Sequence, residues 1–432
     1  MTKTIAAHTL GCKVNQYDTQ AMLELFQEAG YEIVPISGPA DVYLVNTCTV
    51  TGTGDKKSLQ LIRKLRREHP SSRLVVCGCM AQQRGAELLS LGADLVLGTR
   101  RRSEVVKLLD SVLLTGNPLC AVEPLQNNPC FERLSVSTQV DHTRAVLKIQ
   151  EGCSNHCTYC IIPSVRGPVS SRPLSDIRDE VHRLADNGFR EIVLTGIHLC
   201  SYGRDIDSSV SLLDAVRVVQ ETRGILRIRL GSLEPNVATS DFVQVLAGMD
   251  KICPQFHLAL QSGSDSVLAR MKRRYNSGQF LQAVDRLRSH FPHAAFTTDI
   301  LTGFPGETEA EYIETRKMIE TVGFARIHVF PYSARPQTPA ASFDNQLSTE
   351  VKESRARDLI ALGKAVAQKY LDSWDGLDAA VLPEEKVNGC WEGYTPEYIR
   401  VRIQGTLNCV SGVPVTVRLV RTGSDTMNGV VK

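Results

Sequence analysis

The chain has 432 residues, 42% hydrophobic and 22% charged, which is the composition of a globular protein and enough length for two or three domains. A formal net charge of only +2 excludes a protein that is basic overall, although basic runs occur at 56–67, 100–102 and 272–274. Neither a signal peptide nor a run of roughly 20 uncharged apolar residues is present in the sequence. We therefore expect a cytoplasmic location and no membrane partner.

Strand and helix patterns alternate through residues 1–118, the first predicted domain. Short apolar strands are predicted at 4–11, 41–48, 73–79 and 94–99, and a helix at 17–30 ends in a glycine. This β-α-β-α order predicts an α/β fold with an open parallel sheet.

Three further segments follow. Residues 119–138 are irregular and predict a linker. Residues 139–369 again alternate strands and helices, and their six predicted strands favour a partial parallel (β/α)6 barrel. Residues 370–432 contain short alternating strands separated by Gly, Asn and Pro turns, which predict a small β-barrel.

Three cysteines, Cys153, Cys157 and Cys160, are spaced i, i+4 and i+7 between a glycine and a proline. A reducing compartment disfavours disulfides, so we interpret them as ligands of a [4Fe–4S] cluster that leaves one iron open. Zinc with His156 as the fourth ligand, a structural group of free thiols, and Cys200 as a fourth cluster ligand are the alternatives.

Three more cysteines, Cys12, Cys48 and Cys79, each lie at the carboxyl end of a predicted parallel strand. In an open α/β sheet these ends share one edge, where ligands bind. The pattern predicts a second three-cysteine cluster site. Cys77 is the rival to Cys79, because it lies two residues earlier on the same predicted strand and is expected to share the face of Cys79, but deeper in the sheet.

The loop at 152–163 resembles that of radical S-adenosylmethionine enzymes, in which the cofactor itself is the fourth ligand of the cluster. Nearly the whole chain resembles the radical S-adenosylmethionine methylthiotransferase family. The motifs that carry this resemblance are 152–163, 166–173, 195–203, 231–235, 257–273, 303–308 and 330–340. The segment 9–19 is most similar to the MtaB branch, and 393–403 resembles the RNA-holding TRAM domain.

The resemblance implies a tRNA methylthiotransferase that inserts a methylthio group at C2 of N6-threonylcarbamoyladenosine, at position 37 beside the anticodon. It implies two [4Fe–4S] clusters. One S-adenosylmethionine would donate a methyl group to a sulfur at the N-terminal cluster, and a second would be cleaved to a radical. The implied partners are tRNA, a flavodoxin- or ferredoxin-type electron donor and a sulfur donor.

Other interpretations stay open from the sequence. Related branches act on isopentenyladenosine in tRNA or on a ribosomal-protein aspartate. A radical oxidase or methylase would need only one cluster. A protein of another class, a non-catalytic iron–sulfur protein that binds tRNA or senses redox state, would release no 5′-deoxyadenosine.

The predicted cofactor contacts lie at the carboxyl ends of barrel strands, where catalytic groups of such barrels are found, although a structural role stays open for each. They are Thr195, Gly196, Ser232, Glu234 and Gln261. No acid–base catalytic residue is predicted, and His198 and His257 are expected to be hydrogen-bonded neighbours of the site rather than ligands.

Two features depart from the family pattern. Gln337 stands where the family usually has glycine, so the backbone at this residue is expected to differ from that of the family. Residues 369–432 contain seven Lys or Arg and eight Asp or Glu, so RNA contact by this segment would need a local basic patch.

Overall fold

The structure is a computed structural model that describes residues 2–127, 130–137, 143–207, 209–404, 409–423 and 425–431. The predicted boundary between linker and core, at 138/139, and the last residue of the predicted C-terminal domain, 432, lie outside the described residues. Within these ranges, we find no helix that combines the length and the apolar character needed to span a membrane.

The N-terminal domain is a parallel sheet. Its strands are β1 (Thr4–Thr9), β2 (Glu32–Ile33), β3 (Val42–Thr47), β4 (Arg73–Gly78), β5 (Leu95–Val96) and β6 (Leu119–Cys120). Its helices are α1 (Lys13–Glu28), α2 (Gly52–Glu68), α3 (Cys79–Arg84), α4 (Glu87–Ser90) and α5 (Val105–Thr115). The described strands lie in the order β2-β1-β3-β4-β5-β6 and confirm the predicted open parallel sheet.

Helices cover both faces of this sheet. On one face α1 and α5 contribute Met22 and Leu109 to an apolar core, and on the other α2 and α3 contribute Ile62 and Met80. All six residues of β3 are buried for this reason. The two-residue strands β2 and β6 are too short to be predicted from periodicity.

The central domain continues the alternation of strands and helices. Its strands are β7 (Arg144–Glu151), β8 (Ser170–Ser171), β9 (Glu191–Gly196), β10 (Arg227–Leu230), β11 (Ser232–Leu233), β12 (Gln255–Leu258), β13 (Ala295–Thr302) and β14 (Arg326–Pro331). Its helices are α6 (Ile162–Arg166), α7 (Leu174–Asp186), α8 (Leu212–Glu221), α9 (Ser240–Ala247), α10 (Asp265–Arg270), α11 (Ser277–His290), α12 (Glu309–Val322) and α13 (Thr349–Asp372).

These strands form the curved wall of a partial barrel. The strands pair in parallel in the orders β10-β9-β7 and β11-β12-β13-β14, and the short β8 is antiparallel to β7. Only Gly231 separates β10 from β11, so the chain passes directly from one sheet into the other. The arrangement confirms the predicted partial (β/α)6 barrel, which stays open between β7 and β14.

A closed five-stranded barrel forms the C-terminal domain of the described chain. Its strands are β15 (Asp378–Val387), β16 (Cys390–Tyr394), β17 (Arg400–Gln404), β18 (Val415–Arg421) and β19 (Met427–Val431). Val381, Val401, Leu419 and Met427 fill its interior and are fully buried. The predicted small β-barrel is confirmed.

The C-terminal barrel packs against one end of the central barrel. Arg227 donates hydrogen bonds to the carbonyls of Tyr394 at 2.8 Å and Ala380 at 2.9 Å. Arg229 donates to the carbonyl of Pro396 at 2.8 Å. Because Arg227 begins its strand, this contact lies at the amino ends of the parallel strands, and the carboxyl ends are left for the cysteine loop.

The N-terminal domain bridges the open side of the central barrel. At one edge Lys148 Nζ on β7 lies 2.8 Å from an Asp18 carboxylate oxygen on α1. At the other edge the Gly52 amide donates to Ser333 Oγ, just after β14, at 3.1 Å. The cysteine-bearing edge of the N-terminal sheet is thereby held beside the barrel opening.

Candidate functional site

Cys12, Cys48 and Cys79 lie at the carboxyl ends of three neighbouring strands of the N-terminal sheet. Cys12 precedes α1, Cys48 follows β3, and Cys79 begins α3 directly after β4. The three strands are adjacent in the order β1-β3-β4. The loop of Cys12 lies against Cys48, because a Cβ on Gly11 would lie 3.1 Å from Cys48 Sγ. Burial raises the pKa of the Cys79 thiol to about 11, and the neighbouring thiols of Cys12 and Cys48 also raise it. The structure therefore brings this predicted set together at one sheet edge.

Gly78 decides how Cys79 is placed. Its φ of +95° is a conformation that glycine favours, and a Cβ there would lie 2.3 Å from Asn46 Oδ1. The strand ends at this glycine and the chain turns into α3. Cys77 and Cys79 consequently do not share a strand face, contrary to the expectation for a continuous strand.

Cys77 occupies an apolar environment instead. It is fully buried in the core that contains Met22 and Leu109. Cys79 packs against Ile161 and Val165 of the central domain. This arrangement favours Cys79 over Cys77 as the ligand.

The second set, Cys153, Cys157 and Cys160, lies in the loop that follows β7. The Cys153 amide donates to the Gly167 carbonyl at 2.9 Å, and the Cys160 amide donates to the Cys157 carbonyl at 3.0 Å. Gly152 enters the loop with a φ of +70°, and a Cβ there would lie 1.9 Å from the Pro168 carbonyl oxygen. The loop thus depends on a glycine before its first cysteine.

One arginine contacts each cysteine set. Arg166 Nε donates to Cys79 Sγ at 3.2 Å. Arg273 Nη1 donates to Cys157 Sγ, also at 3.2 Å. Because a guanidinium stays charged, each arginine favours negative charge on the sulfur that it contacts. Both sets therefore fit thiolate ligands, and in each a cation partly balances the negative charge.

Arg166 belongs to a buried charge network between the N-terminal and central domains. Its Nη1 lies 2.9 Å from a Glu151 carboxylate oxygen, and Lys148 Nζ lies 2.6 Å from the other oxygen. Asp18 is bound by Lys148 and by Arg102 from the N-terminal domain. Burial opposes ionisation of Glu151, yet these cations hold its pKa well below the ordinary value.

Arg273 is held by a second polar group that includes the predicted cofactor contact Glu234. An Arg273 guanidinium nitrogen lies 2.7 Å from Glu234 Oε1. The same carboxylate accepts from Asn155 at 3.2 Å and lies 3.3 Å from His198 Nε2. Glu234 is therefore linked to Cys157 through Arg273, and His198 is hydrogen-bonded in the way expected of a neighbour.

The other predicted contacts lie at strand ends. Thr195 and Gly196 end β9, and the exposed Ser232 begins β11. Gln261 follows β12 in the left-handed region, with a φ of 65°, and its backbone bonds to Asp299 and Leu301 of β13. These positions share the carboxyl side of the barrel with the cysteine loop, and their contact with a cofactor stays a prediction.

The alternative ligands are placed differently. His156 is exposed within the cysteine loop. Cys200 Sγ accepts a hydrogen bond from the Glu234 amide at 3.1 Å. His257 bonds to Thr297 Oγ1 at 3.0 Å and lies 3.5 Å from Asp299. Its role as a hydrogen-bonded neighbour of the site rather than a ligand stays a prediction.

Gln337 has a backbone conformation that glycine favours. Its φ is 73°, and the Thr338 amide donates to the Arg335 carbonyl at 3.1 Å, as in a turn with proline at its second position and a left-handed third residue. The turn places Arg335 against Asp55 and against Thr49 Oγ1, at 2.8 Å from the latter. The expected difference from the backbone of the family stays a prediction.

No three or more His, Cys, Asp or Glu side chains in the described ranges surround a position for a single metal ion. A cubane binds each thiolate through a different iron, so this observation does not bear on a cluster. Arg166 and Arg273 have no role that the sequence pattern predicts, although they lie inside the motifs at 166–173 and 257–273, respectively. Only their contacts with sulfur reveal what they do.

Models of two protein families match the chain. The Uncharacterized protein family UPF0004 matches residues 4–98, and the Radical SAM superfamily matches residues 147–319. The two matches contain the first and the second cysteine set, respectively.

Curated relatives match almost the full length. The chain is 40% identical to the threonylcarbamoyladenosine tRNA methylthiotransferase MtaB of Bacillus subtilis, over 97% of this chain and 94% of the relative. It is 36% identical to the MtaB of Thermotoga maritima, over 93% and 92%. It is also 34% identical to a tRNA-2-methylthio-N(6)-dimethylallyladenosine synthase of Hydrogenobaculum, over 98% of both chains.

Solved structures share the fold at low sequence identity. A radical S-adenosylmethionine methyltransferase, TsrM, from Kitasatospora setae superposes with a TM-score of 0.58 and 14% identity, over 79% of this chain and 77% of that chain. The fold, the two family matches and the full-length relatives agree. The chain therefore belongs to the radical S-adenosylmethionine methylthiotransferase family, in its MtaB branch, and is an enzyme of that class.

Proposed function

We propose that this enzyme inserts a methylthio group at C2 of N6-threonylcarbamoyladenosine at position 37 of tRNA, next to the anticodon. The observation that carries the proposal is the link between the two cysteine sets. Helix α6 begins two residues after Cys160, and its last residue, Arg166, donates to Cys79 Sγ at 3.2 Å. Carbon–sulfur bond formation at one atom needs the sulfur and the radical within reach of the same base.

Two [4Fe–4S] clusters and S-adenosylmethionine are the proposed cofactors. Cys12, Cys48 and Cys79 would hold one cluster, and Cys153, Cys157 and Cys160 would hold the other. When bound, these groups supply the electron, the radical and the sulfur that the reaction requires. The proposed contacts to S-adenosylmethionine are Thr195, Gly196, Ser232, Glu234 and Gln261.

The chain's own residues orient and enclose this chemistry. Arg166 and Arg273 fix one thiolate of each set, and each is in turn held by a carboxylate, Glu151 or Glu234. Arg335 and its turn help join the loop after Cys48 to the end of β14. Because the N-terminal domain contacts the central barrel at both edges of its opening, it would limit the access of water to a reactive radical.

The choice of nucleoside rests on the named relatives. The MtaB relatives are 34–40% identical to this chain. The synthases that act on the dimethylallyl nucleoside are 34% and 35% identical to it. The segment 9–19 favours the threonylcarbamoyl substrate. Proposed partners are tRNA, a flavodoxin- or ferredoxin-type electron donor and a sulfur donor, and reduced thiols together with a tRNA substrate favour the cytoplasm.

Mass spectrometry of tRNA nucleosides from cells with and without the gene tests the substrate directly. We expect the 2-methylthio form of N6-threonylcarbamoyladenosine to disappear in the deletion strain and return on complementation. Loss of the 2-methylthio isopentenyl nucleoside instead would reassign the substrate. Unchanged tRNA nucleosides would overturn the proposal.

Iron analysis of the anaerobically reconstituted protein tests the cofactor content. About eight iron atoms per chain are expected for two four-iron clusters. About four would leave a single-cluster oxidase or methylase. Absence of 5′-deoxyadenosine in the presence of reductant and S-adenosylmethionine would indicate a non-catalytic protein.

A further inference from the structure

Positive charge is concentrated on helix α2 of the N-terminal domain. Its 17 residues contain six Lys or Arg and two acidic residues, a net charge of +4, whereas the whole chain carries +2. The rest of the protein is therefore slightly negative. This helix stands out electrostatically from the remainder of the molecule.

Five of the six cations form one solvent-facing stripe, the α2 stripe: Lys56, Lys57, Arg63, Lys64 and Arg67, all of them exposed. At about 100° per residue they fall within an arc of about 120°. The buried residues of the helix, Ser58, Ile62 and Leu65, point the other way. From its first to its last member the stripe is about 16 Å long.

Few acidic side chains neutralise the positive charge of the α2 stripe. Glu68 lies 3.9 Å from Lys64 and 3.5 Å from Arg67 at the end of the helix. Among the side chains that the structure describes, Lys56, Lys57 and Arg63 form no salt bridge. Arg66, the sixth cation, points away from the stripe and donates to the Gly92 carbonyl at 2.8 Å, so it has a structural role.

The C-terminal barrel presents the opposite situation. Its arginines are paired with nearby carboxylates: Arg400 and Arg402 with Glu392, Arg418 with Asp378, and Arg421 with Asp372. With seven Lys or Arg against eight Asp or Glu in 369–432, this segment has no net positive charge to attract phosphate groups. The α2 stripe is the better match to a polyanion.

The geometry points to the α2 stripe as the docking surface for the phosphate backbone of the substrate RNA. Helix α2 begins only four residues after Cys48, so a backbone lying along it would pass beside the cysteine edge of the sheet. The inference rests on the proposed tRNA substrate and names the surface that binds it. Phosphate contacts of this kind position a nucleic acid without reading its sequence.

The test is the binding of a fluorescent anticodon-arm hairpin to the full-length holoenzyme over a range of salt concentrations. The variant replaces all five stripe residues with glutamine, a residue of similar helix propensity, so α2 should remain folded. The slope of log Kd against log salt should fall by about one for each lost phosphate contact, and so by about three or more. At about 0.1 M salt, Kd should rise on the order of a hundredfold.

The matched control, Lys107→Gln/Arg178→Gln, removes two exposed cations from α5 and α7 and should leave Kd and slope unchanged. Formation of 5′-deoxyadenosine without RNA should equal the parental rate in both variants. A five-residue variant with the parental Kd and slope would overturn the docking surface. A parental enzyme that methylthiolates no tRNA would instead overturn the proposed function.

Discussion

Arg166 Nε lies 3.2 Å from Cys79 Sγ, and the same guanidinium contacts the buried carboxylate of Glu151 at 2.9 Å. The arginine thus joins the N-terminal cysteine set to the strand that leads into the second set. Arg273 repeats the relationship between Cys157 and Glu234. A hydrogen-bonded cation at one thiolate of each set is a means of tuning the reduction potential of a cluster.

Replacing Arg273 with glutamine should make the midpoint potential of the cluster at Cys153, Cys157 and Cys160 more negative. The reduced cluster carries more negative charge, and the variant loses the cation that stabilises it. A redox titration followed by electron paramagnetic resonance measures the potential. Arg273→Lys should recover part of the shift, and the exposed neighbour Arg274→Gln should show none. A parental potential in Arg273→Gln would contradict this role.

Replacing Cys12, Cys48 and Cys79 together with alanine should separate the two cluster activities. We expect iron to fall from about eight to about four per chain, because only one four-iron site remains. Formation of 5′-deoxyadenosine should persist, while methylthiolation of tRNA should be lost. Methylthiolated product from this triple variant would refute the assignment.

Cys77→Ala is the matched single substitution for Cys79→Ala. The Cys77 side chain lies in the apolar core, so its loss should leave iron content and activity near the parental level. Cys79→Ala should deplete the N-terminal cluster and stop methylthiolation. Iron analysis and product assays of the two variants decide which cysteine is the ligand. An inactive, iron-depleted Cys77→Ala beside an active Cys79→Ala would make Cys77 the ligand.

Gln337→Gly should increase the free energy of unfolding by about 0.5 to 1 kcal/mol. A non-glycine residue in the left-handed region costs roughly 1–2 kcal/mol, part of which is offset by the greater chain entropy of glycine. Chemical denaturation measures the change. Asn345, with a φ of 57°, provides the control, since asparagine tolerates this region and Asn345→Gly should gain less.

Removing the C-terminal barrel after residue 372 should lower the thermal unfolding midpoint by about several degrees. Arg227 and Arg229 would lose carbonyl acceptors provided by Ala380, Tyr394 and Pro396, and hydrogen bonds to charged groups contribute about 1.5–3 kcal/mol each. Differential scanning calorimetry measures the midpoint. In the full-length chain, Arg418→Gln breaks only an exposed pair with Asp378 and should leave the midpoint unchanged. An equally stable truncation would show that the barrel is an independent appendage.

The sequence by itself determined the local features of this protein. The proposed ligands Cys153, Cys157 and Cys160 lie within eight residues, so their spacing alone indicates a cluster loop. Strand and helix periodicity predicted the parallel sheet, the partial barrel and the small β-barrel, because each pattern reflects which face of an element is buried. The family resemblance likewise rests on short contiguous motifs.

Only the tertiary structure decided how these parts meet. Cys79 was separated from Cys77 by the turn at Gly78, whose close contact with Asn46 depends on the pairing of two strands. Arg166 reaches a sulfur 87 residues away, and Gln337 keeps a left-handed turn that presents Arg335 to Asp55. Such contacts depend on how distant elements pack, whereas hydrophobic periodicity records only whether a position is buried and not against what.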